Sequence, residues 1–261
     1  MTIARDWDGS TYDRISGPME QMGLKVLDRL PLEGDETVLD AGCGSGRVTA
    51  VLLERLPRGR VIGVDGAPSM IAAARERLGD RPDLDLRVAD LVTLDLGEER
   101  VDAVLSTATF HWIEDHDALF ARLRGVLRDG GRLVAQCGGA GNIEVIHAAA
   151  EVVGAQPPYA AHLEGWAGPW NFAGPEETAA RLRGAGFADV RCGLQDWPVR
   201  PDEPETYLRT IILGAHLEQL PADLHAGFVA GVLAALPSPL VVPYVRLNID
   251  ATAAGEGGQV S

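Results

Sequence analysis

The chain has 261 residues, 46% of them hydrophobic, which is enough to bury the core of one α/β domain. Its 38 acidic residues outnumber its 23 basic residues, and Lys25 is the only lysine. A formal net charge of −15 argues against the broad basic patch of a nucleic-acid-binding protein and disfavours contact with an anionic membrane.

The three cysteines, Cys43, Cys137 and Cys192, have a wide, irregular spacing that fits neither a disulfide framework nor a zinc site. The start of the sequence lacks the basic and apolar runs of a secretory signal, and prolines interrupt the longest uncharged stretch, Ala226 to Val245. These features predict a soluble cytoplasmic protein that binds no metal and spans no membrane.

The region from Trp7 to Leu30 is predicted to be a loop followed by an amphipathic helix. Met22, Val26 and Leu30 fall on one side of that helix at helical spacing. We interpret residues 1–33 as a cap on the rest of the chain.

Between Thr37 and Gln136, short β-rich apolar runs alternate with helical stretches, which is the pattern of βαβ units around a parallel sheet. The predicted strands are Thr37–Asp40, Arg60–Asp65, Leu84–Ala89, Val101–Ser106 and Gly131–Gln136, and the predicted helices are Val48–Arg55, Pro68–Leu78 and Ala118–Leu127. Right-handed crossovers would place the helices on both faces of the sheet.

After this core, Ile143–Val153 is predicted to be helical, and the segment Gln156–Pro175, rich in proline, glycine and aromatic residues, is a candidate lid. The remaining predicted elements are a helix at Glu176–Ala185, a strand at Ala188–Trp197, helices at Glu205–Leu217 and Ala222–Leu236, and a final strand at Val241–Ala251. We expect one domain over residues 1–252, comprising the cap, a cofactor-binding core at 34–138 and substrate-side segments at 139–175 and 201–238, followed by a disordered tail at 253–261.

A glycine-rich turn joins the first predicted strand to the first core helix. Gly42, Gly44 and Gly46 would let the backbone approach a ligand closely beside a helix N-terminus. Taken alone, such a turn is equally typical of tight packing. Its spacing is G-x-G-x-G, preceded by Asp40 and followed by Arg47, which departs from the G-x-G-x-x-G pattern of dinucleotide-binding enzymes.

Acidic residues end three consecutive predicted strands, at Asp40, Asp65 and Asp90. Such residues can simply cap the following helices. The carboxyl edge of a parallel sheet, however, is where open α/β folds bind ligands, and a carboxylate at the position of Asp65 can accept both ribose hydroxyls of an adenosine.

These segments resemble the motifs of the class I S-adenosylmethionine-dependent methyltransferases. The resemblance is carried by Val38–Gly46, Val64–Asp65, Ala89–Leu91, Asp102–Trp112 and Leu127–Leu133. Within the class, the branch related to trans-aconitate methyltransferase is most similar, at Trp7-Asp8, Tyr12-Asp13, Phe110–Trp112 and Tyr244–Asn248. That branch includes many small-molecule enzymes of unknown substrate, so this similarity does not indicate a substrate.

The resemblance implies a Rossmann-like α/β/α sandwich with a seven-stranded, mostly parallel sheet, whose last strand runs antiparallel beside the fifth. It also implies S-adenosylmethionine as the cofactor and a small molecule as the methyl acceptor. The cofactor-binding residues that it implies are Tyr12, Asp40, Gly42, Gly44, Asp65, Gly66, Met70, Ala89, Asp90, Leu91 and Thr107.

The acceptor side is less defined by the sequence. His111 follows the fourth strand and could act as a general base, or it could only hydrogen-bond its loop. Arginine would hold a carboxylate acceptor, and aromatic side chains would wall an apolar one. The candidates are Arg14, Arg209 and Arg246 for the first, and Trp112, Tyr159, Trp166, Trp170 and Phe172 for the second. O-methylation of a carboxylate or hydroxyl is the expected reaction.

Other chemistries remain as alternatives. An NAD-dependent oxidoreductase on a similar sheet is disfavoured by the spacing around Arg47, and a non-catalytic cofactor-binding protein stays possible. Cys43 has no pattern of a nucleophile, and His111 and His116 lie five residues apart on different helical faces, so no metal is indicated. The oligomeric state is open.

Overall fold

The computed structural model describes residues 17–255. Seven strands form one sheet, in the order β3-β2-β1-β4-β5-β7-β6. Their bounds are β1 Thr37–Ala41, β2 Arg60–Asp65, β3 Leu84–Val88, β4 Val101–Thr107, β5 Leu127–Gly138, β6 Phe187–Val199 and β7 Val242–Ala253. Strands β1 to β5 are parallel, and β7 runs antiparallel between β5 and β6. The predicted sandwich with an antiparallel last strand beside the fifth is confirmed.

Ten α-helices accompany the sheet in residues 17–255. They are α1 Gly17–Leu27, α2 Arg47–Glu54, α3 Pro68–Leu78, α4 His116–Val126, α5 Glu144–Gly154, α6 Ala160–Leu163, α7 Pro175–Gly184, α8 Pro204–Tyr207, α9 Gly214–Gln219 and α10 His225–Ala235. None of these described helices combines the length and the apolar character that a membrane span requires.

Alternating strand residues divide the core between the two faces of the sheet. Val38 packs with α1 and α2 on one face, whereas Leu39 packs with α4 on the other. A third apolar cluster joins α5, α8, α9 and α10 and reaches Tyr244 at the start of β7. The helices around this third cluster therefore stand over the end of the sheet where β4 and β5 leave it.

The N-terminal helix agrees with its predicted apolar face. Met22 and Val26 are buried on α1. The helix ends at Leu27, so Leu30, which is also buried, lies in the turn that follows. Gly23 packs against the core: a Cβ on this glycine would lie 2.6 Å from Cγ2 of Val48 on α2. Helix α1 consequently lies against the helix that begins at the glycine-rich turn.

Two predicted boundaries were wrong. Leu127 does not end the preceding helix; it begins β5 and pairs with Val101, with a register shift before Ala103. Ala253 does not begin a disordered tail, because it pairs with Phe187 in the sheet and is 1% exposed. Residues 256–261, the rest of the predicted tail, lie outside the described residues.

The predicted helix at Glu205–Leu217 is interrupted. A π-helical turn, Leu208–Ile212, separates α8 from α9. A 3-10 turn, Ala222–Leu224, likewise begins the predicted helix that becomes α10. Turns of the 3-10 type are frequent at helix ends, whereas π-helical turns are rare and occur mostly as single-turn interruptions of helices.

Candidate active site

The glycine-rich turn adopts backbone angles that favour glycine. The φ angles of Gly42, Gly44 and Gly46 are 83°, 54° and 80°. The amides of Gly42 and Cys43 both donate to the carbonyl of Val64, at 2.7 and 3.0 Å, so β2 supports the turn from below. A Cβ on Gly44 would meet no described atom within 4 Å, so this side of the turn is open to a ligand.

Asp40 lies near the end of β1, just before the glycine-rich turn, and is 1% exposed. Its Oδ2 accepts a 2.7 Å hydrogen bond from Oγ1 of Thr49 on α2, whereas its buried Oδ1 has no partner within residues 17–255. Burial raises the pKa of Asp40 to about 6; the Thr49 bond opposes this rise, and the charge of Asp65 adds to it. A buried carboxylate oxygen of this kind is costly unless a ligand satisfies it.

Asp65 is the last residue of β2, and its carboxylate both stabilises the glycine-rich turn and faces it. Its Oδ2 accepts from the amide of Gly44 and its Oδ1 from the amide of Ala67, both at 2.9 Å. Burial raises the pKa of this carboxyl, and the two amide bonds limit the rise. Each oxygen retains a second lone pair that can accept a hydroxyl.

The ends of β2 and β3 carry the residues that the resemblance assigns to adenine binding. Gly66 and Asp90 are exposed and Ala89 is half-buried, whereas Met70 and Leu91 are buried. The Oδ1 of Asp90 accepts a 2.9 Å bond from the amide of Val92, which leaves Oδ2 to a ligand. An apolar wall with a carboxylate at its rim suits a flat heterocycle with an amino group.

The exit of β4 carries a strained backbone. Ala108 has a φ of 56°, which is uncommon for a residue with a side chain, and its amide donates to the carbonyl of Gln136 at 2.7 Å. Thr107 is half-buried, and its Cβ lies 3.7 Å from the position of a Cβ on Gly23 of α1. Thr109 covers Gly42, where an added Cβ would come within 2.0 Å of its Oγ1. The exit of β4 therefore borders the glycine-rich turn on the side opposite β2.

His111 follows in a short 3-10 turn, Phe110–Trp112, and is 8% exposed. Its Nδ1 lies 3.2 Å from the amide of Gly138 at the end of β5, and because this amide donates, Nδ1 must accept. Burial lowers the pKa of His111 well below its usual value, with further lowering by Arg246 and His116. A neutral imidazole that accepts at Nδ1 carries its proton on Nε2. His111 is thus a hydrogen-bond donor at Nε2, and not a ready base there.

Arg246 lies on β7 opposite Gly138 and is 2% exposed. Its Nε donates to Oε1 of Gln136 at 3.4 Å, and its guanidinium lies 5.9 Å from the ring centre of Tyr244. Gln136 in turn donates to Asn248 at 2.8 Å, and Arg29 donates to both Asn248 and the carbonyl of Ala135. This polar chain holds the Arg246 side chain close to the exits of β4 and β5.

The candidate lid is tied to the β4 exit through Asn171. The amide of Asn171 donates to the carbonyl of His111 at 2.8 Å, and its side-chain nitrogen donates to the carbonyl of Glu114 at 2.9 Å. The carbonyl of Ala173 accepts from the amide of Ala140, beyond β5, at 3.1 Å. The lid therefore runs directly over the edge where His111 lies.

The predicted acceptor-side aromatics do not all lie in one place. His111 contacts Trp112, and Trp112 contacts Trp170, with ring centres 5.2 and 6.0 Å apart. Tyr159 instead stacks edge-on against Phe228 of α10 at 5.2 Å, as part of the helical cluster. Arg209 is half-buried in the π-helical turn. Tyr12 and Arg14 lie outside the described residues.

Several site residues were missed by the sequence analysis. Thr49 and Asn171 are neighbours of the site only through their hydrogen bonds to Asp40 and to the β4 exit. His147 and His216 lie among the lid aromatics, on helices far apart in the chain. Among residues 17–255, no group of three or more His, Cys, Asp or Glu side chains is arranged to hold a metal ion.

The residues present fit S-adenosylmethionine. The open face at Gly44, the unsatisfied Oδ1 of Asp40 and the carboxylate of Asp65 lie on consecutive strand ends of one sheet edge. A bound cationic amino acid with a ribose would satisfy the two carboxylates that this edge leaves partly unpaired.

Comparison with known proteins agrees with this geometry. A methyltransferase-domain family matches residues 39–135. The trans-aconitate 2-methyltransferase of Variovorax paradoxus is 28% identical over 235 residues, which are 86% of each chain. That of Methylobacterium radiotolerans is 36% identical over 159 residues, 60% of this chain and 59% of its own, so the match spans about three fifths of that relative.

The fold also matches a solved methyltransferase. Phosphoethanolamine N-methyltransferase 2 of Haemonchus contortus, solved with S-adenosyl-L-methionine, gives a TM-score of 0.64 at 19% identity, over 95% of this chain and 57% of that one. At this identity the likeness is evidence of a common fold. Residues 39–135 match a methyltransferase domain, the strand order is that of the class I methyltransferases, and the chain is similar to the trans-aconitate methyltransferases.

Proposed function

We propose that the chain transfers the methyl group of S-adenosylmethionine to a carboxylate oxygen of a small acid. The observation that carries the proposal is the state of His111. Its Nδ1 accepts from the amide of Gly138, so Nε2 bears the proton and can donate to an anionic oxygen. A carboxylate is ionised at neutral pH and needs no base, which agrees with a histidine that cannot serve as one at Nε2.

Arg246 supplies the charge that such an acceptor requires. It is buried, and its charge acts on His111 strongly enough to lower the pKa of that imidazole further. The guanidinium has five N–H donors in a planar fork, which suits bidentate binding of a carboxylate. The printed names of the two relatives, trans-aconitate 2-methyltransferase, also support a carboxylic acid as the acceptor class.

The chain's own residues would act by binding and orientation. When bound, S-adenosylmethionine supplies a methyl carbon on a sulfonium, which an oxygen nucleophile takes as the carbon–sulfur bond breaks and the electron pair passes to sulfur. Arg246 and His111 would hold the carboxylate with one oxygen directed at that carbon, and the lid tied down by Asn171 would exclude water. Alignment of the reacting atoms can supply most of the acceleration in such a displacement.

On the cofactor side, we infer that Asp40 and the open turn at Gly44 hold the methionine end, while Asp65 accepts the ribose hydroxyls. Thr107 would face the methionine end through its backbone. Gly66, Met70, Ala89, Asp90 and Leu91 would surround the adenine, and Tyr12 would contribute from the cap.

We infer a cytoplasmic enzyme in one domain, with residues 1–33 as the cap and residues 139–175 and 201–238 on the substrate side. No nucleic acid is expected as a substrate, because the formal net charge is −15.

Cofactor affinity should rise with pH between 5 and 7. The ionised fraction of Asp40 increases as the pH passes its raised pKa of about 6, and only the ionised carboxylate attracts the positive charge of the cofactor. We expect S-adenosylmethionine to bind about tenfold more tightly at pH 7 than at pH 5, measured by calorimetry. Asp40→Asn should bind weakly and without this dependence, and a wild-type affinity that is constant over this range would contradict the role of Asp40.

The state of His111 is tested by the pH profile of turnover. For an acid acceptor under saturating cofactor, kcat should stay level from pH 7 to 9, because neither the acceptor nor His111 changes protonation there. His111→Phe keeps the ring stacking against Phe172 and removes the Nε2 donor, so KM for the acid should rise about tenfold. A kcat that follows the titration of a base near neutrality, and disappears in His111→Phe, would show that the carboxylate assignment is wrong.

A further inference from the structure

Five rings form a cluster beyond His111, under and within the lid. We call it the histidine–aromatic cage and define it by His147 of α5, His216 of α9, and Trp166, Trp170 and Phe172 of the lid. The ring centre of His147 lies 4.5 Å from that of Trp170, 5.8 Å from that of Phe172 and 6.0 Å from that of His216. The ring centre of His216 lies 4.9 Å from that of Trp166 and 5.4 Å from that of Trp170.

The cage is continuous with the acceptor end of the site. The ring of Phe172 stacks on His111 with centres 5.7 Å apart and at an angle of 25°, and it also stacks on His147. Trp166, Trp170 and Phe172 all remain half-exposed, so this is not a sealed core. The part of an acceptor that extends away from His111 would therefore lie beside the cage.

The cage contains two polar atoms that lack partners. The Nε2 of His147 and the Nδ1 of His216 are buried without a hydrogen-bond partner anywhere in the described part of the chain, and His216 is only 8% exposed. Buried nitrogens of this kind are rare in folded proteins because losing the bond to water is costly. Two of them facing one aromatic cluster point to a group supplied by a ligand.

Both histidines are uncharged at neutral pH. Burial lowers the pKa of His147 to about 4, and burial together with His147 lowers the pKa of His216 to about 3. A neutral imidazole offers one donor and one acceptor, which matches an uncharged hydroxyl or carbonyl. A second carboxylate placed here would face two neutral imidazoles and indole rings instead of a guanidinium, and burying a charge without a charged partner is unfavourable.

We propose that the cage selects a monocarboxylic acid with a flat, unsaturated or aromatic body and one uncharged hydrogen-bonding group, which the free nitrogens of His147 and His216 bind. This inference rests on the proposed carboxylate acceptor, because Arg246 and His111 take the acid group at the near end. It separates this chain from enzymes that accept a tricarboxylic acid, whose extra charges the cage would reject.

Binding measurements test the cage apart from turnover. Calorimetry on the protein saturated with S-adenosylhomocysteine would compare cinnamate, its three ring-hydroxylated isomers and trans-aconitate. The best hydroxycinnamate should bind about tenfold more tightly than cinnamate, as one satisfied hydrogen bond gives, and trans-aconitate should bind more weakly than either. Equal affinity for the plain and hydroxylated acids, or the tightest binding for trans-aconitate, would overturn the inference even if every acid is methylated.

Variants locate the effect. The preference for the hydroxylated acid should fall to near unity in His147→Phe and in His216→Phe, and partly return in His147→Gln and His216→Asn, whose amides replace the unpaired nitrogens. His162→Phe, at an exposed lid histidine, is the matched control and should keep the full preference. Unchanged affinity for S-adenosylhomocysteine would verify that each variant is folded. A preference that persists in both phenylalanine variants refutes the role of the cage, whereas failure to methylate any acid, with binding preferences intact, refutes only the proposed reaction.

Discussion

Asp65→Ala is expected to weaken S-adenosylmethionine binding by about 100-fold or more. The carboxylate holds the turn through the amides of Gly44 and Ala67. In the proposed function, its remaining lone pairs also accept the ribose hydroxyls. Each hydrogen bond to a charged group contributes about 1.5–3 kcal/mol, so the loss of two reaches this range. Calorimetry with purified protein measures the change directly.

Asp80→Ala provides the control, because Asp80 is exposed and follows α3, away from the strand ends at Asp40, Asp65 and Asp90. Its affinity for S-adenosylmethionine should equal that of the wild type. Titration of both proteins with NAD⁺ should show no binding, since Arg47 follows a turn whose spacing differs from the dinucleotide pattern. Wild-type affinity in Asp65→Ala would remove the ribose assignment, and tight NAD⁺ binding would favour an oxidoreductase.

Arg246→Gln is expected to lower kcat/KM for the acid acceptor by about 100-fold or more while leaving cofactor affinity within about twofold. Removal of one partner from a buried charge pair typically costs about 2–5 kcal/mol. Glutamine can still bond to Gln136 and preserve the polar chain on β7, so the loss would report on the missing charge and not on folding. Arg246→Lys, which keeps the charge without the planar fork, should be intermediate.

Arg191→Gln is a suitable control, because Arg191 is exposed on β6, the strand next to β7. It should have wild-type kcat/KM. The acceptor assignment would be contradicted if Arg246→Gln turned over acids as fast as the wild type, and also if it lost cofactor binding together with activity.

The strands and helices of the core were predictable because short apolar runs indicate buried strands, whereas apolar residues at helical spacing indicate helices. The predicted and observed bounds of β2 agree, and those of β1 and β4 differ by one residue. The strand ends near β5 and β7 were less predictable. Leu127 and Ala253 join the sheet because a neighbouring strand offers them partners, and no local pattern contains that information.

The residues proposed for the cofactor side could be chosen from the sequence, because they follow strand ends that parallel topology brings to one edge of the sheet. The surroundings proposed for the acceptor could not. His147 and His216 come together only when α5 and α9 pack over the lid, so their spacing in the chain indicates nothing. Whether His111 donates or accepts depends on the amide of Gly138, which lies 27 residues away in the chain.

A labelled turnover assay tests the central claim most directly. The protein would be incubated with S-adenosylmethionine carrying a ¹³C methyl group and with a panel of small acids and their hydroxyl analogues, and the products would be read by mass spectrometry. We predict equal amounts of S-adenosylhomocysteine and of a methyl ester that carries the label on its carboxylate oxygen, with far less product from Asp65→Ala at the same cofactor concentration. Label found on a hydroxyl or amine, with every acid unchanged, would contradict the account.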